Sequence, residues 1–258
     1  MIGYLHRKLH NITHPVLGRI LMLHRVVEQR SEDKNRELEI TPDFLKQTIE
    51  TYRQQGHRFV SIDEACEIIG RGRTAQPFVC LTFDDGYQDN YDIAYPILKQ
   101  TNVPFAIYVT TGFIDNRLPM WWYRCESREQ CQTCLNNAEV QQRERSYPGE
   151  QLGINTKSLK TLDADPLCTI GAHTISHPKL DTLSPEEQTK EIVQSRQELE
   201  TLLSHPIRHF SYPHGAYNAD TLSIINNQAF RSALLAWGGN IRRGANPLML
   251  PRIELRQP

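Results

Sequence analysis

The chain predicts an α/β fold in which a parallel β-sheet is covered by helices. Three observations carry that expectation. Short apolar runs alternate with helix-like segments along most of the sequence, the pattern of repeated strand–helix units. The helical segments carry start signals in the right places. Asp84, Asp85 and His173 each stand directly after an apolar run, where an α/β sheet presents its chemistry.

The elements follow in order. Arg19 to His24 reads as a strand. Thr41 to Gln55 reads as a helix, with Thr41 as N-cap, Pro42 in the first position and Gly56 as the stop. Its apolar face is Phe44, Leu45, Ile49 and Tyr52, at helical spacing. Phe59 to Ile62 is a short strand, and Asp63 to Ile69 a short helix ended by Gly70. The strongest strand, Pro77 to Phe83, runs straight into Asp84-Asp85-Gly86. A helical stretch continues to Gln100, kinked or divided by Pro96. Phe105 to Thr110 and Leu167 to Gly171 are strands. Ser184 to Leu203 is the clearest helix: Ser184 and Glu187 form a capping box, Pro185 starts the first turn, and Ile192, Leu199, Leu202 and Leu203 face inward. Ile207 to Tyr212, Ser232 to Trp237 and Met249 to Ile253 complete the strands. Seven or eight such units allow closure into a barrel, although an open doubly wound sheet satisfies the same pattern.

Residues Asn116 to Asp165 break the rhythm: they are polar, weakly periodic and hold three cysteines. A structureless loop of that length is unusual in a compact domain. The segment reads as a partly helical insertion beside the site mouth, within a single catalytic domain spanning residues 1–258. The charge balance, 29 Lys and Arg against 30 Asp and Glu, gives a net charge of −1. No global field therefore draws the protein to nucleic acid or an anionic membrane. The N-terminal stretch has no apolar run of signal-peptide length, and nothing approaches a membrane span. The expectation is a cytoplasmic protein. In that setting the six cysteines, Cys66, Cys80, Cys125, Cys131, Cys134 and Cys168, are read as thiols.

Two segments carry the chemistry. In Thr82-Phe83-Asp84-Asp85-Gly86, two carboxylates sit side by side after a buried strand. Their mutual repulsion disfavours joint ionisation unless a cation is near; an Asx-type turn closing the strand is the plainer alternative. In His173-Thr174-Ile175-Ser176-His177, two histidines at i and i+4 share one face of a helical turn or converge in a loop, where both reach one ion. One carboxylate and two histidines make an open zinc-type triad with a position left for water.

These segments, with Phe210-Ser211-Tyr212-Pro213-His214-Gly215 as a third, closely resemble the polysaccharide deacetylase family, carbohydrate esterase family four. TFDDG and H-[ST]-x-x-H match without substitution, and the likeness covers roughly Arg19 to Arg252 outside the insertion. The resemblance implies a distorted (β/α) barrel of about seven parallel strands. It implies Asp84 as general base and Asp85, His173 and His177 as ligands of a divalent metal, zinc above cobalt or nickel. It implies an oxyanion donor in the third motif near His214, with Tyr212 and Pro213 beside it. The reaction implied is removal of an acetyl group from an acetylated sugar, oligosaccharide or polysaccharide.

The sequence leaves the family pattern at two places. Many members carry a C-terminal histidine in L-x-x-H as the acid, and this chain has no histidine after His214. Leu21-Met22-Leu23-His24-Arg25 instead resembles the L-M-x-H segment of the branch acting on poly-N-acetylglucosamine, which makes His24 the candidate acid. The third motif often carries an arginine that orients the base; here that position is Ser211, and Arg252 is the candidate to approach Asp84 from another direction. Trp121 and Trp122 are candidate sugar contacts or packing for the insertion, and Trp237 is open to the same two readings. Cys125, Cys131 and Cys134 lack a fourth ligand for a structural zinc. The leading expectation is a sugar N-deacetylase. An O-deacetylase or another non-peptide C–N hydrolase would use the same residues, and a non-catalytic carbohydrate-binding relic would have no need of four matched groups.

Overall fold

The computed structural model describes residues 15–32, 34–124 and 152–258. Seven strands are parallel neighbours: β1 (Val16–Leu23), β2 (Phe78–Phe83), β3 (Phe105–Val109), β4 (Cys168–Ala172), β5 (His209–Ser211), β6 (Ser232–Gly238) and β7 (Leu250–Glu254). The sheet closes because β1 pairs on one side with β2, from Gly18↔Phe78 to Leu23↔Phe83, and on the other with β7, at Leu21↔Ile253. Closure selects the barrel over the open sheet. The barrel is distorted where pairing thins: β4 and β5 meet at Ala172↔Phe210, and the β6–β7 register shifts between Leu250 and Arg252. A short strand, Arg58–Phe59, extends β2 outward, and Ile241–Arg242 lies antiparallel on β1.

Every residue of β2 is buried, as expected of a strand covered on both faces. Successive side chains divide between two cores, following the two-residue period of a strand. Val79, Leu81 and Phe83 join Leu45, Ile49, Ile192 and Leu199 in one core; Phe78 and Cys80 join Ile20, Ala106, Tyr108 and Leu234 in the other. Burying each such side chain stabilises by roughly 1.5–3 kcal/mol.

The helix starts follow the sequence signals. Thr41 accepts the Phe44 N–H at the head of Pro42–Gln54, and Ser184 forms its capping box with Glu187. The helix Ile62–Arg71 starts on Ser61 and runs through Gly70, ending instead at Gly72 in the left-handed region (φ 63°). Two helical stretches contain a wider π turn: Asn90–Ala94 precedes Tyr95–Gln100, and Lys190–Gln194 joins Pro185–Thr189 to Ser195–Leu203. In the first, Pro96 lacks the N–H that a regular turn would use. A helix not expected from the sequence, Ala219–Asn227, starts on a reciprocal cap between Asn218 and Thr221.

Parts of the insertion are helical: a 3-10 turn at Trp121–Arg124 and an α-helix at Thr156–Asp163, with a further 3-10 turn, Thr111–Asn116, leading into it. Cys125, Cys131 and Cys134 lie outside the described residues. Cys66, Cys80 and Cys168 are free thiols, the last two buried. Among the described residues no helix is long and apolar enough to cross a membrane.

Candidate active site

The C-terminal ends of β1, β2, β4, β5 and β7 bring the candidate residues to one end of the barrel. β2 delivers Asp84 and Asp85. The Asp84 N–H donates to the Leu23 carbonyl at 3.0 Å, so β1 and β2 stay paired up to the site. Asp85 takes a positive φ of 73° and Gly86 one of 77°. A Cβ on Gly86 would stand 3.1 Å from Val109 Cγ1, so glycine answers both the turn and the close approach of β3.

β4 delivers His173, and the segment to His177 is a loop rather than a helical turn, with Thr174 and His177 at φ 68° and 61°. The loop is held from within and from behind. Thr174 Oγ1 accepts the His177 N–H at 3.0 Å. Glu191 accepts the Ile175 and Ser176 N–H groups at 2.8 and 3.0 Å, and the Ser176 hydroxyl at 2.7 Å. Sequence reasoning passed over Glu191; its only signal was an acid on the inner side of a helix that follows the histidine pair.

The side chains converge. His173 Nδ1 donates to the Ser211 carbonyl at 2.8 Å, which fixes the ring and leaves Nε2 as the free lone pair. That Nε2 lies 3.4 Å from Asp85 Oδ1, and His177 Nε2 lies 3.3 Å from the same oxygen. Donors about 2.1 Å from one ion at tetrahedral angles stand about 3.4 Å apart, so the spacing fits a shared divalent cation. Asp85 Oδ1 is buried without a hydrogen-bond partner, a costly state that a cation removes. Among the described residues Asp85, His173 and His177 are the group whose ligand atoms all lie within 4.8 Å of one another.

Asp84 borders the same space, its Oδ2 3.9 Å from His173 Nε2. Arg252, 1 % exposed, grips it in a bidentate pair at 2.8 and 2.6 Å. The guanidinium also donates to Ser211 Oγ at 2.8 Å, the Leu235 carbonyl at 2.7 Å and Thr82 Oγ1 at 3.2 Å, while the Ser211 hydroxyl donates to Asp84 at 3.2 Å. Burial by itself would push the Asp84 pKa up. The Arg252 charge, the nearby His173 and the paired hydrogen bonds overcome it and hold the carboxyl well below the usual range. His173 is shifted upward, because the Asp84 and Asp85 carboxylates outweigh its burial. His177 is pushed well down by burial and by the neighbouring His214 and His173.

The third segment forms a second wall. Tyr212 N–H is committed to the Leu234 carbonyl and its hydroxyl to the Leu248 carbonyl. His214 sits at φ 56°, its ring 4.6 Å from that of His177, and burial pushes its pKa down to about 4. His24, half-buried after β1, stands close enough for its charge to act on Asp84 and His177; its carbonyl accepts the Asn90 amide at 2.7 Å. Arg25, next in the chain, is locked by Asp89 at 2.7 Å and lies over the Tyr87 ring, a brace absent from the sequence reading.

Trp121 and Trp122 are 7 % and 9 % exposed and pack with Tyr87, Phe113, Met120 and Leu152. Trp122 donates to the Tyr87 hydroxyl at 3.0 Å, and its ring lies 5.0 Å from that of His177. The structure therefore places both indoles in packing beside the site. Trp237 is 55 % exposed at the end of β6.

The chain is similar to known proteins. The family profile of the polysaccharide deacetylases matches residues 71–233, which hold Asp84, Asp85, His173, His177 and the third segment. YxkH of Bacillus subtilis, assigned by name to the polysaccharide deacetylases, is 23% identical over 237 residues, 92% of this chain and 70% of its own length. The Streptococcus pyogenes deacetylase PplD, solved in complex with acetate, superposes with a TM-score of 0.73 at 25% identity, over 94% of this chain and 93% of its own. IcaB from Ammonifex degensii does so with a TM-score of 0.71 at 24% identity, over 93% and 92%. With a family match over more than half of its length, the chain belongs to the polysaccharide deacetylase family.

Proposed function

We propose that this chain is a divalent-metal-dependent hydrolase that removes acetyl groups from an amino-sugar-containing glycan or glycan precursor. The observation that carries the reading is the division of labour between adjacent carboxylates. Asp85 shares one small space with His173 Nε2 and His177 Nε2, while Asp84 borders that space, its Oδ2 3.9 Å from His173 Nε2, and is held by Arg252. Asp85, His173 and His177 would hold the ion. Zinc suits their oxygen and imidazole donors. When bound, such an ion polarises an acyl carbonyl and lowers the pKa of water toward about 7.

The remaining work falls to the chain's own residues. Asp84, held toward its ionised form by Arg252, accepts a proton from the water that attacks the acetyl carbon. Of the third segment, Tyr212 N–H is spent in the sheet and Pro213 has none, so His214 N–H is the donor assigned to the developing oxyanion. His24 gives the proton to the leaving nitrogen as the C–N bond breaks, since an amide anion leaves poorly. The products are acetate and a free amine.

The test is acetate release from chitooligosaccharides and from nucleotide-linked N-acetyl sugars, with zinc and with chelator, for the wild type beside Asp84→Asn. The expected result is zinc-dependent release by the wild type and none by the variant at unchanged zinc content. Release from O-acetyl sugars alone would move the reading to an esterase. No release from any acetylated sugar would overturn it.

A further inference from the structure

The loop that carries the two histidines is held along both edges. On one edge the His173 N–H donates to the Val109 carbonyl at 3.0 Å, which prolongs the pairing of β3 with β4. The three residues after β3 then take the next three carbonyls in turn. Thr110 Oγ1 donates to that of His173 at 3.1 Å, the Thr111 N–H to that of Thr174 at 3.0 Å, and the Gly112 N–H to that of Ile175 at 2.8 Å. On the other edge Glu191 takes the Ile175 and Ser176 N–H groups. Thr174 and His177 sit at positive φ without being glycine, a conformation that persists only where the surroundings impose it. Two elements do so here: the turn Thr111–Asn116 and the helical stretch of residues 190–203.

Arg117 ties these two elements together. Asp115 and Asn116 take φ of 55° and 53°, which short polar side chains tolerate, and they turn the chain back so that Arg117 reaches the start of its own turn. Arg117 Nη2 donates to the Thr111 carbonyl and, at 3.0 Å, to Glu198. The Thr111 carbonyl and the Gly112 N–H belong to one peptide group. A hydrogen bond accepted at one end of a peptide polarises it and strengthens the one donated at the other. The Arg117 charge therefore reaches the Ile175 carbonyl through a single peptide. Gly112 makes the relay possible, because a Cβ there would stand 2.4 Å from the Ile175 oxygen. Glu191 and Glu198 stand about two helical turns apart. The first grips the loop directly, and the second grips it through Arg117.

We propose that Arg117 is a positioning residue for the metal site: with Glu198 it clasps the Thr111–Gly112 peptide and, through it, sets the spacing of His173 and His177. The proposal deepens the deacetylase reading and rests on it for the ion that the two histidines hold. It also gives the insertion a task, since Arg117 belongs to its first residues. The Arg117–Glu198 pair is partly exposed, so it adds little to the stability of the fold. Its effect falls on a strained loop whose geometry an ion reads directly.

Three measurements are made on wild type, Arg117→Ala, Arg117→Lys and Arg196→Ala. The first is zinc affinity, by competition with a chromophoric chelator. The second is amide hydrogen exchange of residues 110–118 and 173–178 in the metal-free protein, and the third is its melting temperature. Arg196 is the control: it lies on the same helix and pairs with Glu200 at 2.8 Å, but its guanidinium reaches the Gln228 carbonyl instead of the histidine loop. Arg117→Ala is expected to weaken zinc binding about tenfold, the lower end for a group that acts behind the ligands. Its loop amides exchange faster, while the metal-free melting temperature stays within about 2 °C of wild type. Arg117→Lys, which keeps a charged donor, recovers part of the affinity, and Arg196→Ala keeps all of it. A lower melting temperature with unchanged zinc affinity overturns the proposal, since it would mean that Arg117 only supports the fold. An equal loss of affinity in Arg196→Ala overturns it as well. The two readings fail separately. A wild type that binds no zinc, with loop amides that exchange faster in Arg117→Ala, would sink the metal-dependent hydrolase and keep the clasp. Zinc-dependent acetate release with affinity and exchange untouched by Arg117→Ala would do the reverse.

Discussion

Replacing Arg252 with Gln tests the electrostatic centre of the site. The guanidinium is buried and donates to both Asp84 oxygens, Ser211, Thr82 and the Leu235 carbonyl. Removing one partner of a buried ion pair strands the other and costs about 3–5 kcal/mol. Glutamine keeps one donor group, so the lower end, about 3 kcal/mol, is expected. For a chain of this length each kcal/mol moves the melting temperature about 2–4 °C, giving a fall of about 6–12 °C. The sign with pH follows from linkage. Asp84 has a depressed folded pKa, so its contribution is present above its unfolded value, about 3.9, and is lost as pH falls through the folded value. In the variant burial is opposed only by His173, His24 and the Ser211 hydrogen bond, and the folded pKa rises. The unfolded state is common to both, so the stability gap between wild type and variant is widest near neutral pH and closes as pH falls from the variant's raised folded pKa toward the depressed one of the wild type. The acid limb of the kcat/KM profile moves to higher pH for the same reason. Differential scanning calorimetry across pH and a pH–rate profile at matched zinc content are the assays. A melting temperature within about 1 °C of wild type, together with an unmoved acid limb, would refute the idea that Arg252 sets the charge state of Asp84.

Zinc added to the metal-free wild type should raise its stability by about 2.7 kcal/mol at a hundredfold excess over Kd, with chelator reversing the rise; Asp85→Ala should show no rise, and an equal rise in that variant would exclude Asp85 as a ligand. His24→Ala should retain zinc but lose about 10²–10⁴ in kcat, the usual contribution of a general acid; near-normal turnover on an N-acetyl sugar would remove His24 from the reaction. Glu191→Gln should weaken zinc binding about 10–100-fold by loosening the His173–His177 loop, measured by competition with a chromophoric chelator, and unchanged affinity would show that the loop holds itself.

What was legible in the sequence was local. Caps at Thr41 and Ser184 are read within one turn, and the wholly apolar Phe78–Phe83 announces a strand covered on both faces. Metal-type donors at Asp85, His173 and His177 stand beside strand ends that the same patterns locate. What could not be read was whatever depends on which strands meet. Gly70 has the residue type of a helix stop, yet the helix passes through it because Ile68 and Ile69 are buried and hold the last turn in place, leaving Gly72 to end it. Glu191 is sixteen residues from Ile175 and fifteen from Ser176, and nothing in either segment announces that a carboxylate will cap the loop.

Arg252 shows why closure matters most. It is 168 residues from Asp84, so spacing carries no information about their contact. The barrel decides it: β1 pairs with β2 on one side and β7 on the other, and inward residues near the C-terminal ends of all three reach the same axis. An arginine that pairs with Asp84 can then be supplied from any strand whose neighbours leave room. Here Ser211 leaves that room, because its short side chain spans between Arg252 and Asp84 and bonds both. An arginine restored at position 211 would compete with Arg252 for a carboxylate whose two oxygens are already paired, bringing a second buried guanidinium without a second anion. Ser211→Arg should therefore destabilise the wild type and be tolerated better beside Arg252→Gln. Calorimetry of the two single variants and the double variant measures the coupling, and additive effects would show that the two positions do not share one site.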